Sequence, residues 1–206
     1  MKRGALIVIE GIDRTGKSTQ AKRLVDNLRK NDVKAEYTNF PARETEVGKV
    51  INSYLQLKND LSDEAIHLLF SANRWERAKH IINTLESGVT LVIDRYCYSG
   101  VAFSAAKGLD LNWCKSPDVG LPKPDRVFFL TMPFDDVVQR NGFGNERYEV
   151  LKFQKKVSEI YSALKEDNWD VMEANRSIEE IQEELLDKAL TLTTQVTDKP
   201  IGKVWL

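Results

Sequence analysis

Five short apolar runs recur along the chain, separated by longer segments in which apolar residues return with the period of a helix. Residues 5–10 (ALIVIE), 88–94 (GVTLVID) and 125–132 (DRVFFLTM) are apolar at most interior positions, which is typical of strands buried on both faces of a parallel sheet. Residues 35–40 (AEYTNF) and 169–174 (WDVMEA) predict two further strands from a weaker pattern.

Helical periodicity is clear in the segments between and after these runs. Residues 67–88 predict a helix that ends at Gly88, and Ser177 with Glu180 matches a capping box at the start of another. Two apolar helix faces follow from the spacing, one of Phe153, Val157, Ile160, Tyr161 and Leu164, the other of Ile178, Ile181, Leu185, Ala189 and Leu192. This alternation predicts a doubly wound α/β fold, whose ligands bind at the carboxyl ends of the strands.

The first strand continues into residues 10–19 (EGIDRTGKST), which match the pattern G-x-x-x-x-G-K-[ST] from Gly11 to Ser18. In such a loop the backbone N–H groups point at phosphate oxygens, the lysine (Lys17) reaches the β- and γ-phosphates, and the serine hydroxyl holds Mg²⁺. The pattern arises by chance in only about one chain in a hundred of this length. Its position between a strand and a helix lowers that chance further, so we interpret it as an ATP- or GTP-binding loop.

Two charged residues of this loop, Asp13 and Arg14, stand where many phosphate loops carry small or neutral residues. A GTPase would require D-x-x-G and N-K-x-D sequences after later strands. The D-x-x-G present, Asp13–Gly16, lies within the phosphate loop, and residues 122–125 (PKPD) lack the asparagine that reads guanine. The sequence therefore argues against a GTPase.

Charged residues also follow the second and third strands. Arg43 in NFPAR and Arg95 in DRY lie where an anionic substrate binds in this fold class, and a guanidinium binds phosphate bidentately. Asp94 occupies the place of the acidic residue that holds Mg²⁺ or its water in P-loop proteins. The alternative is a structural Asp94–Arg95 pair that closes the strand. Phe40 is interpreted as a core residue on the sequence alone.

The helix over residues 67–88 carries Phe70 and Arg74 four positions apart, hence on one face. An aromatic ring can stack on a nucleobase, and a guanidinium beside it can donate to a carbonyl of that base. The pair therefore predicts a nucleobase-binding site. The alternative for Phe70 is a core position, and for Arg74 a solvated charge.

Residues 139–149 (QRNGFGNERYE) are polar, contain glycine and lie between predicted helices, which suits a mobile flap over bound phosphates. Arg140 and Arg147 are its candidates for ATP contact. An ordinary solvent loop is an equally good interpretation of the pattern.

Composition sets the remaining limits. The 206 residues fit a single domain, and the formal net charge of −1 predicts no general attraction to nucleic acid. No apolar run reaches the roughly 18–20 residues of a membrane span. Two cysteines, Cys97 and Cys114, are too few for a disulfide framework and indicate a reducing compartment, the cytoplasm or the nucleus.

Together these motifs resemble thymidylate kinases, with similarity from RGALIVIEG at residue 3 to the tail GKVWL. The segments ANRWE and LPKPD are specific, since they have no general meaning in P-loop proteins. The arginine in the phosphate loop is similar to the eukaryotic and poxviral branch. The resemblance implies a P-loop nucleoside monophosphate kinase fold, with a five-stranded parallel sheet wrapped by helices and a short lid over residues 139–149. It also implies a homodimer that transfers the γ-phosphoryl group of ATP to dTMP with Mg²⁺, giving dTDP and ADP.

The same resemblance implies roles for individual residues. The implied catalytic residues are Arg14, Lys17, Asp94 and Arg95, and the implied metal ligands are Ser18 and Asp94. ATP is bound by Gly11, Ile12, Asp13, Arg14, Thr15, Gly16, Lys17, Ser18 and Thr19, with Arg140 and Arg176 around the base. The dTMP contacts come from Asp13, Phe40, Arg43, Phe70, Arg74, Arg95, Tyr96, Gly100, Phe103, Tyr148 and Gln154.

Three departures from the family pattern leave the edge of the acceptor pocket open: Ala42, residues 97–98 (CY) and a shortened loop at 107–113. One alternative is therefore a broader monophosphate kinase that also accepts dUMP. A second is an inactive nucleotide-binding module, which the intact lysine, serine, aspartate and arginines of the site argue against.

Overall fold

The computed structural model describes residues 2–139 and 146–206, and all five predicted strands are present. They form one parallel sheet in the order β2-β3-β1-β4-β5. The strands are β1 (Leu6–Glu10), β2 (Ala35–Asn39), β3 (Thr90–Asp94), β4 (Arg126–Thr131) and β5 (Trp169–Glu173). The five-stranded parallel α/β fold expected from the sequence is thus confirmed.

Helices fill the segments between the strands, with a 3₁₀ turn at Ser116–Asp118. They are α1 (Lys17–Lys30), α2 (Glu46–Leu55), α3 (Asp63–Glu86), α4 (Cys97–Ala105), α5 (Leu111–Lys115), α6 (Phe134–Gln139), α7 (Leu151–Leu164) and α8 (Ile178–Gln195). Helix α3 begins at residue 63 rather than 67, because the Ser62 hydroxyl accepts the Ala65 N–H and caps an earlier turn. The Ser177–Glu180 capping box forms as predicted at the start of α8.

Burial explains why some strands gave a stronger sequence signal than others. Every residue of β1 and β3 is buried, since these strands have neighbours on both sides and helices over the sheet. The two weaker predictions, β2 and β5, are the edge strands, and their patterns mix buried with half-buried or exposed positions. Helices α1 and α8 pack on each other, and so do α4 and α7.

Parallel pairing sets the position of the loops. Ile9 of β1 lies opposite Asp94 of β3, and the Arg95 N–H donates to the Ile9 carbonyl at 3.0 Å. The phosphate loop after β1 and the DRY segment after β3 therefore leave the sheet side by side. Within the described residues, no helix is long and apolar enough to cross a membrane.

Candidate active site

The phosphate loop turns back on itself through residues with positive φ. Gly16, the residue before α1, has φ 88°, and Arg14 has φ 64° although it is not a glycine. Gly11 passes so close to β4 that a Cβ atom there would lie 2.4 Å from the Leu130 carbonyl oxygen. The loop therefore has the tight backbone that its glycine pattern predicts.

Lys17 is buried inside this loop. Its Nζ donates to the Ile12 carbonyl at 2.5 Å, and the Thr15 hydroxyl lies 3.4 Å away. Burial, reinforced by the positive charge of Arg95, lowers the pKa of Lys17 to about 7. Lys17 is thus held inside the loop by a backbone carbonyl and a hydroxyl, where phosphate oxygens would stabilise its charge.

Ser18 and Asp94 meet as the metal prediction requires. The Ser18 hydroxyl donates to Asp94 Oδ2, and the Tyr37 hydroxyl donates to the same oxygen at 3.4 Å. Asp94 Oδ1 is buried and has no hydrogen-bond partner among residues 2–139 and 146–206. An unpartnered carboxylate oxygen next to a serine hydroxyl fits Mg²⁺ or a water bound to it. This ion usually has only one or two protein ligands, and substrate phosphates and waters supply the rest. Tyr37 was missed by the sequence analysis, which treated it only as part of a strand.

Arg95 has φ 65°, and its guanidinium turns toward the phosphate loop. Nη1 donates to the Gly11 carbonyl and to the Ser99 hydroxyl, each at 3.1 Å, and Nη2 donates to Asp13. The guanidinium carbon lies 5.4 Å from the centre of the Phe103 ring. Arg95 therefore connects the loops after β1 and β3.

The two unusual charges of the phosphate loop bind the start of α7 and the residues just before it. The Arg14 Nε donates to Glu149 at 2.6 Å, and this bond raises the pKa of Arg14 above its ordinary value. Gln154 Oε1 accepts the Asp13 N–H at 2.9 Å, and Gln154 Nε2 donates to the Asp13 carboxylate at 2.6 Å. The same Nε2 donates to the Tyr148 carbonyl at 2.8 Å. Sequence analysis missed Glu149, whose spacing from Arg14 carries no local signal.

A cavity of about 200 Å³ opens beside Asp94 and Arg95. It collects ten of the eleven residues predicted to contact dTMP, and the remaining one, Gln154, binds Asp13 instead of lining it. Ser18 and Asp94 also line the cavity. The sequence-based set thus converges on one space next to the phosphate loop.

Arg74 lines this cavity and is buried on α3. Its Nε and Nη2 donate to the two Asp118 carboxylate oxygens at 3.0 and 2.6 Å. Burial by itself would lower the pKa of Arg74, but Asp118 raises it above its ordinary value. Ser71 donates to Asp118 at 2.8 Å, and a Cβ atom at Gly100 would lie only 2.7 Å from Arg74 Nη2. Asp118 and Ser71, both missed by the sequence analysis, therefore fix Arg74, and Gly100 makes room for it.

Aromatic side chains form the walls. The Phe40 and Tyr96 ring centres are 5.8 Å apart, and Tyr148 lies 5.4 Å from Phe103. Phe70 is half-buried, one helical turn before Arg74 on the same face of α3. Phe40 is both buried and part of the cavity wall, so its two sequence interpretations are compatible.

Arg43 closes the mouth of the cavity. Its Nη1 donates to Asn52 at 2.7 Å and its Nη2 to Glu146 at 3.0 Å, and the side chain is 41% exposed. These partners lie in α2 and in the segment before α7. Arg43 is therefore accessible to an anionic ligand.

Other predicted ATP contacts lie away from this cavity or outside the described residues. Arg176 is exposed at the start of α8, where it donates to Glu184 at 2.7 Å. Arg147 stacks on the Tyr54 ring at 4.0 Å and binds the Asn59 carbonyl. Arg140 falls in residues 140–145, outside the described part of the chain, together with most of the predicted lid.

Strand order and the position of the phosphate loop define the class of protein: this is the fold of P-loop nucleoside monophosphate kinases. A family model described as Thymidylate kinase matches residues 9–185. The chain therefore belongs to the thymidylate kinase family.

Individual relatives agree with the family model. The human thymidylate kinase is 49% identical over 99% of this chain and 98% of its own length. The Plasmodium falciparum thymidylate kinase is 45% identical over 94% of this chain and 93% of its own. A solved structure of thymidylate kinase from Candida albicans superposes with a TM-score of 0.90 at 36% identity, covering 99% of each chain.

Proposed function

We propose that this protein transfers the γ-phosphoryl group of ATP to dTMP, giving dTDP and ADP, a step in dTTP synthesis. The observation that carries the proposal is the cavity beside the phosphate loop. Its wall carries Phe70 and the buried Arg74, together with Arg95, which binds the phosphate loop. A nucleoside monophosphate needs this arrangement, with its base at one end and its phosphate at the other.

At the base end, Phe70 stacks on thymine and Arg74 donates to the O4 carbonyl. Nε and Nη2 of the guanidinium bind Asp118, and Nη1 donates to the base. Because Asp118 holds the guanidinium plane fixed, the donor is in place before the substrate arrives. Tyr148 and Phe103 enclose the sugar and base.

At the phosphate end, Arg95 and Arg43 bind the 5′-phosphate of dTMP, and Asp13 contacts the 3′-hydroxyl. The acceptor oxygen belongs to a phosphate that is largely ionised at neutral pH, so no general base is needed. Arg14 and Lys17 then supply positive charge to the phosphoryl group in transfer. Arg14 acts as an arginine finger in cis, exchanging Glu149 for the phosphates.

Ser18 and Asp94 are the residues that would hold Mg²⁺. The ion, when bound, neutralises charge on the β- and γ-phosphates. The unpartnered Oδ1 of Asp94 in the described structure is the feature that supports this assignment.

We infer that the protein works as a homodimer through α3. The outer face of this helix exposes Leu68, Ala72 and Trp75, with exposed fractions of 48% for Leu68 and 43% for Trp75. A stripe of this kind suits a second copy of the same helix. Trp75→Glu should convert a dimer to a monomer in light-scattering measurements, and a monomeric unmodified protein would contradict the inference.

The chain is interpreted as one kinase domain over residues 1–206 with its lid at 139–149. Both cysteines are free and buried, which supports the cytoplasm or nucleus as its location.

A panel of monophosphates tests the proposed reaction. ADP release from ATP and Mg²⁺ should require an acceptor and be fastest with dTMP among dTMP, dUMP, dCMP, dGMP and AMP. Lys17→Ala should abolish it, whereas Lys30→Ala, which changes an exposed lysine of the same helix, should leave it unchanged. Acceptor-independent ADP release, or a preference for a purine monophosphate, would contradict the proposal.

A further inference from the structure

Glu10, the last residue of β1, is fully buried and accepts four hydrogen bonds. Its Oε1 accepts the backbone N–H groups of Tyr96 at 2.8 Å and Ser99 at 3.1 Å. Its Oε2 accepts the Ser99 hydroxyl at 2.6 Å and the Tyr161 hydroxyl at 2.8 Å. The phosphate loop motif does not include Glu10, and no step of the proposed reaction uses it.

The two backbone bonds take the place of a helix cap. Tyr96 is the N-cap residue of α4 and supplies no side-chain capping bond of its own. Glu10 binds the N–H groups of the N-cap and of the third helical residue, the two donors that a local capping box would satisfy. A carboxylate is also stabilised by the positive end of the helix dipole. This cap fixes the backbone directly after Arg95, a non-glycine residue with φ 65°.

The hydrogen bonds from the Ser99 and Tyr161 hydroxyls to Glu10 determine the direction of the Ser99 O–H group. Ser99 donates to Glu10, and the nearby Tyr161 hydroxyl, 2.7 Å from the Ser99 oxygen, donates to Glu10 as well; the Ser99 oxygen accepts from Arg95 Nη1 at 3.1 Å. Burial and the charge of Glu10 raise the pKa of Tyr161 well above its ordinary value, so Tyr161 also remains a donor. A negative charge at Glu10 therefore turns Ser99 into an acceptor for Arg95.

We propose that Glu10 is the positioning residue for Arg95, holding its backbone through the α4 cap and its guanidinium through Ser99. The inference rests on the proposed function, because it assumes that Arg95 binds the acceptor phosphate. It adds a group that sets the geometry of that arginine without contacting either substrate.

Glu10→Gln tests the proposal, because glutamine keeps the shape and an acceptor oxygen for the backbone but places an NH₂ group at the two hydroxyls. Binding of dTMP, measured by calorimetry, should weaken about tenfold, the effect expected for a hydrogen bond to a charged group. ATP affinity should change less than about twofold. In an Arg95→Ala background, Glu10→Gln should have no further effect on dTMP affinity, since its action passes through Arg95.

Tyr161→Phe is the control variant: it removes one bond to the Glu10 carboxylate and the 2.7 Å contact between the Tyr161 and Ser99 hydroxyls, but it keeps the bonds from Ser99 to Glu10 and from Arg95 to Ser99. It should lower the melting temperature while dTMP affinity stays unchanged. Ser99→Ala keeps the carboxylate and provides a second test if Glu10→Gln does not fold, and it should weaken dTMP binding.

Unchanged dTMP affinity in Glu10→Gln or Ser99→Ala would overturn the proposal. So would a loss of dTMP affinity from Glu10→Gln that is equally large in the Arg95 and the Arg95→Ala backgrounds. Failure of the unmodified protein to bind dTMP would overturn the proposed function itself, an outcome distinct from these.

Discussion

The two ends of the acceptor cavity hold their arginines differently. At the base end, Arg74 and Asp118 form a pair whose side chains are 2% and 0% exposed. At the phosphate end, Arg95 pairs with Asp13 at side-chain exposures of 19% and 21%, and Arg43 pairs with Glu146 at 41% and 38%.

This difference matches what each end is proposed to recognise. A neutral base forms hydrogen bonds but no ion pair, so the arginine that binds it must hold one N–H donor in a fixed position. A phosphate brings its own charge, so arginines at that end can exchange a carboxylate for it at small net change in free energy. In the proposed function, selectivity for the base is therefore built into the fold, whereas the phosphate site is completed by the substrates.

The largest effect is expected from Arg14→Ala. Loss of the arginine finger should lower kcat by about 10³-fold, as for other phosphoryl-transfer arginines. The affinity for dTMP should stay nearly constant because Arg14 lies outside the acceptor cavity. Steady-state kinetics with Arg23→Ala as control, an exposed arginine of α1, would check this; normal turnover in Arg14→Ala would refute the assignment.

Breaking the buried pair at the base end should affect stability and binding together. Asp118→Ala leaves a buried guanidinium without its carboxylate, and the free energy of unfolding should fall by about 3–5 kcal/mol in a denaturant titration. Asp60→Ala removes the exposed partner of Arg147 and should cost under about 1 kcal/mol. Equal losses of unfolding free energy in the two variants would show that the buried pair contributes no more to stability than the exposed one.

Arg74→Ala separates reading of the base from binding in general. It should weaken dTMP much more than ATP, since only the acceptor reaches the guanidinium. Direct binding measurements for both nucleotides check the ratio. Equal losses for the two ligands would mark Arg74 as merely structural.

Gly100→Ala should have a smaller effect of the same kind. The added methyl group would lie 2.7 Å from Arg74 Nη2 and would push the guanidinium from its place. Overpacking of this kind lowers stability by about 1–3 kcal/mol, and dTMP affinity should fall while ATP affinity is retained. A thermal melt and calorimetry with each nucleotide check both parts.

The smallest signal concerns the proton on Lys17. Because its pKa is lowered to about 7 in the ligand-free protein, Lys17 is mostly neutral at pH 8, and ATP phosphates should restore its charge. ATP binding should therefore take up roughly one proton at pH 8 and almost none at pH 6. Calorimetry in two buffers of different ionisation enthalpy measures this, and Lys17→Met should abolish the uptake that Lys30→Ala retains.

The sequence by itself determined the elements whose signals are local. The phosphate loop depends on glycines and a lysine within eight positions, Phe70 and Arg74 share a helix face by their spacing, and the buried runs predict β1, β3 and β4. Such features follow from backbone geometry over a few residues. The edge strands were predicted more weakly because their residues mix buried with half-buried and exposed positions.

Only the tertiary structure decided which side chains complete these features. Asp118 lies 44 residues from Arg74, and Glu149 lies 135 residues from Arg14, so no periodicity connects them. Glu10 looked like the end of a strand, yet it caps a helix that begins 87 residues later. Glu10 meets α4 because the parallel sheet brings the carboxyl ends of β1 and β3 together, whereas Arg74 meets Asp118 because α3 packs against the 3₁₀ turn. The positions of these buried charges depend on such packing rather than on any short stretch of sequence.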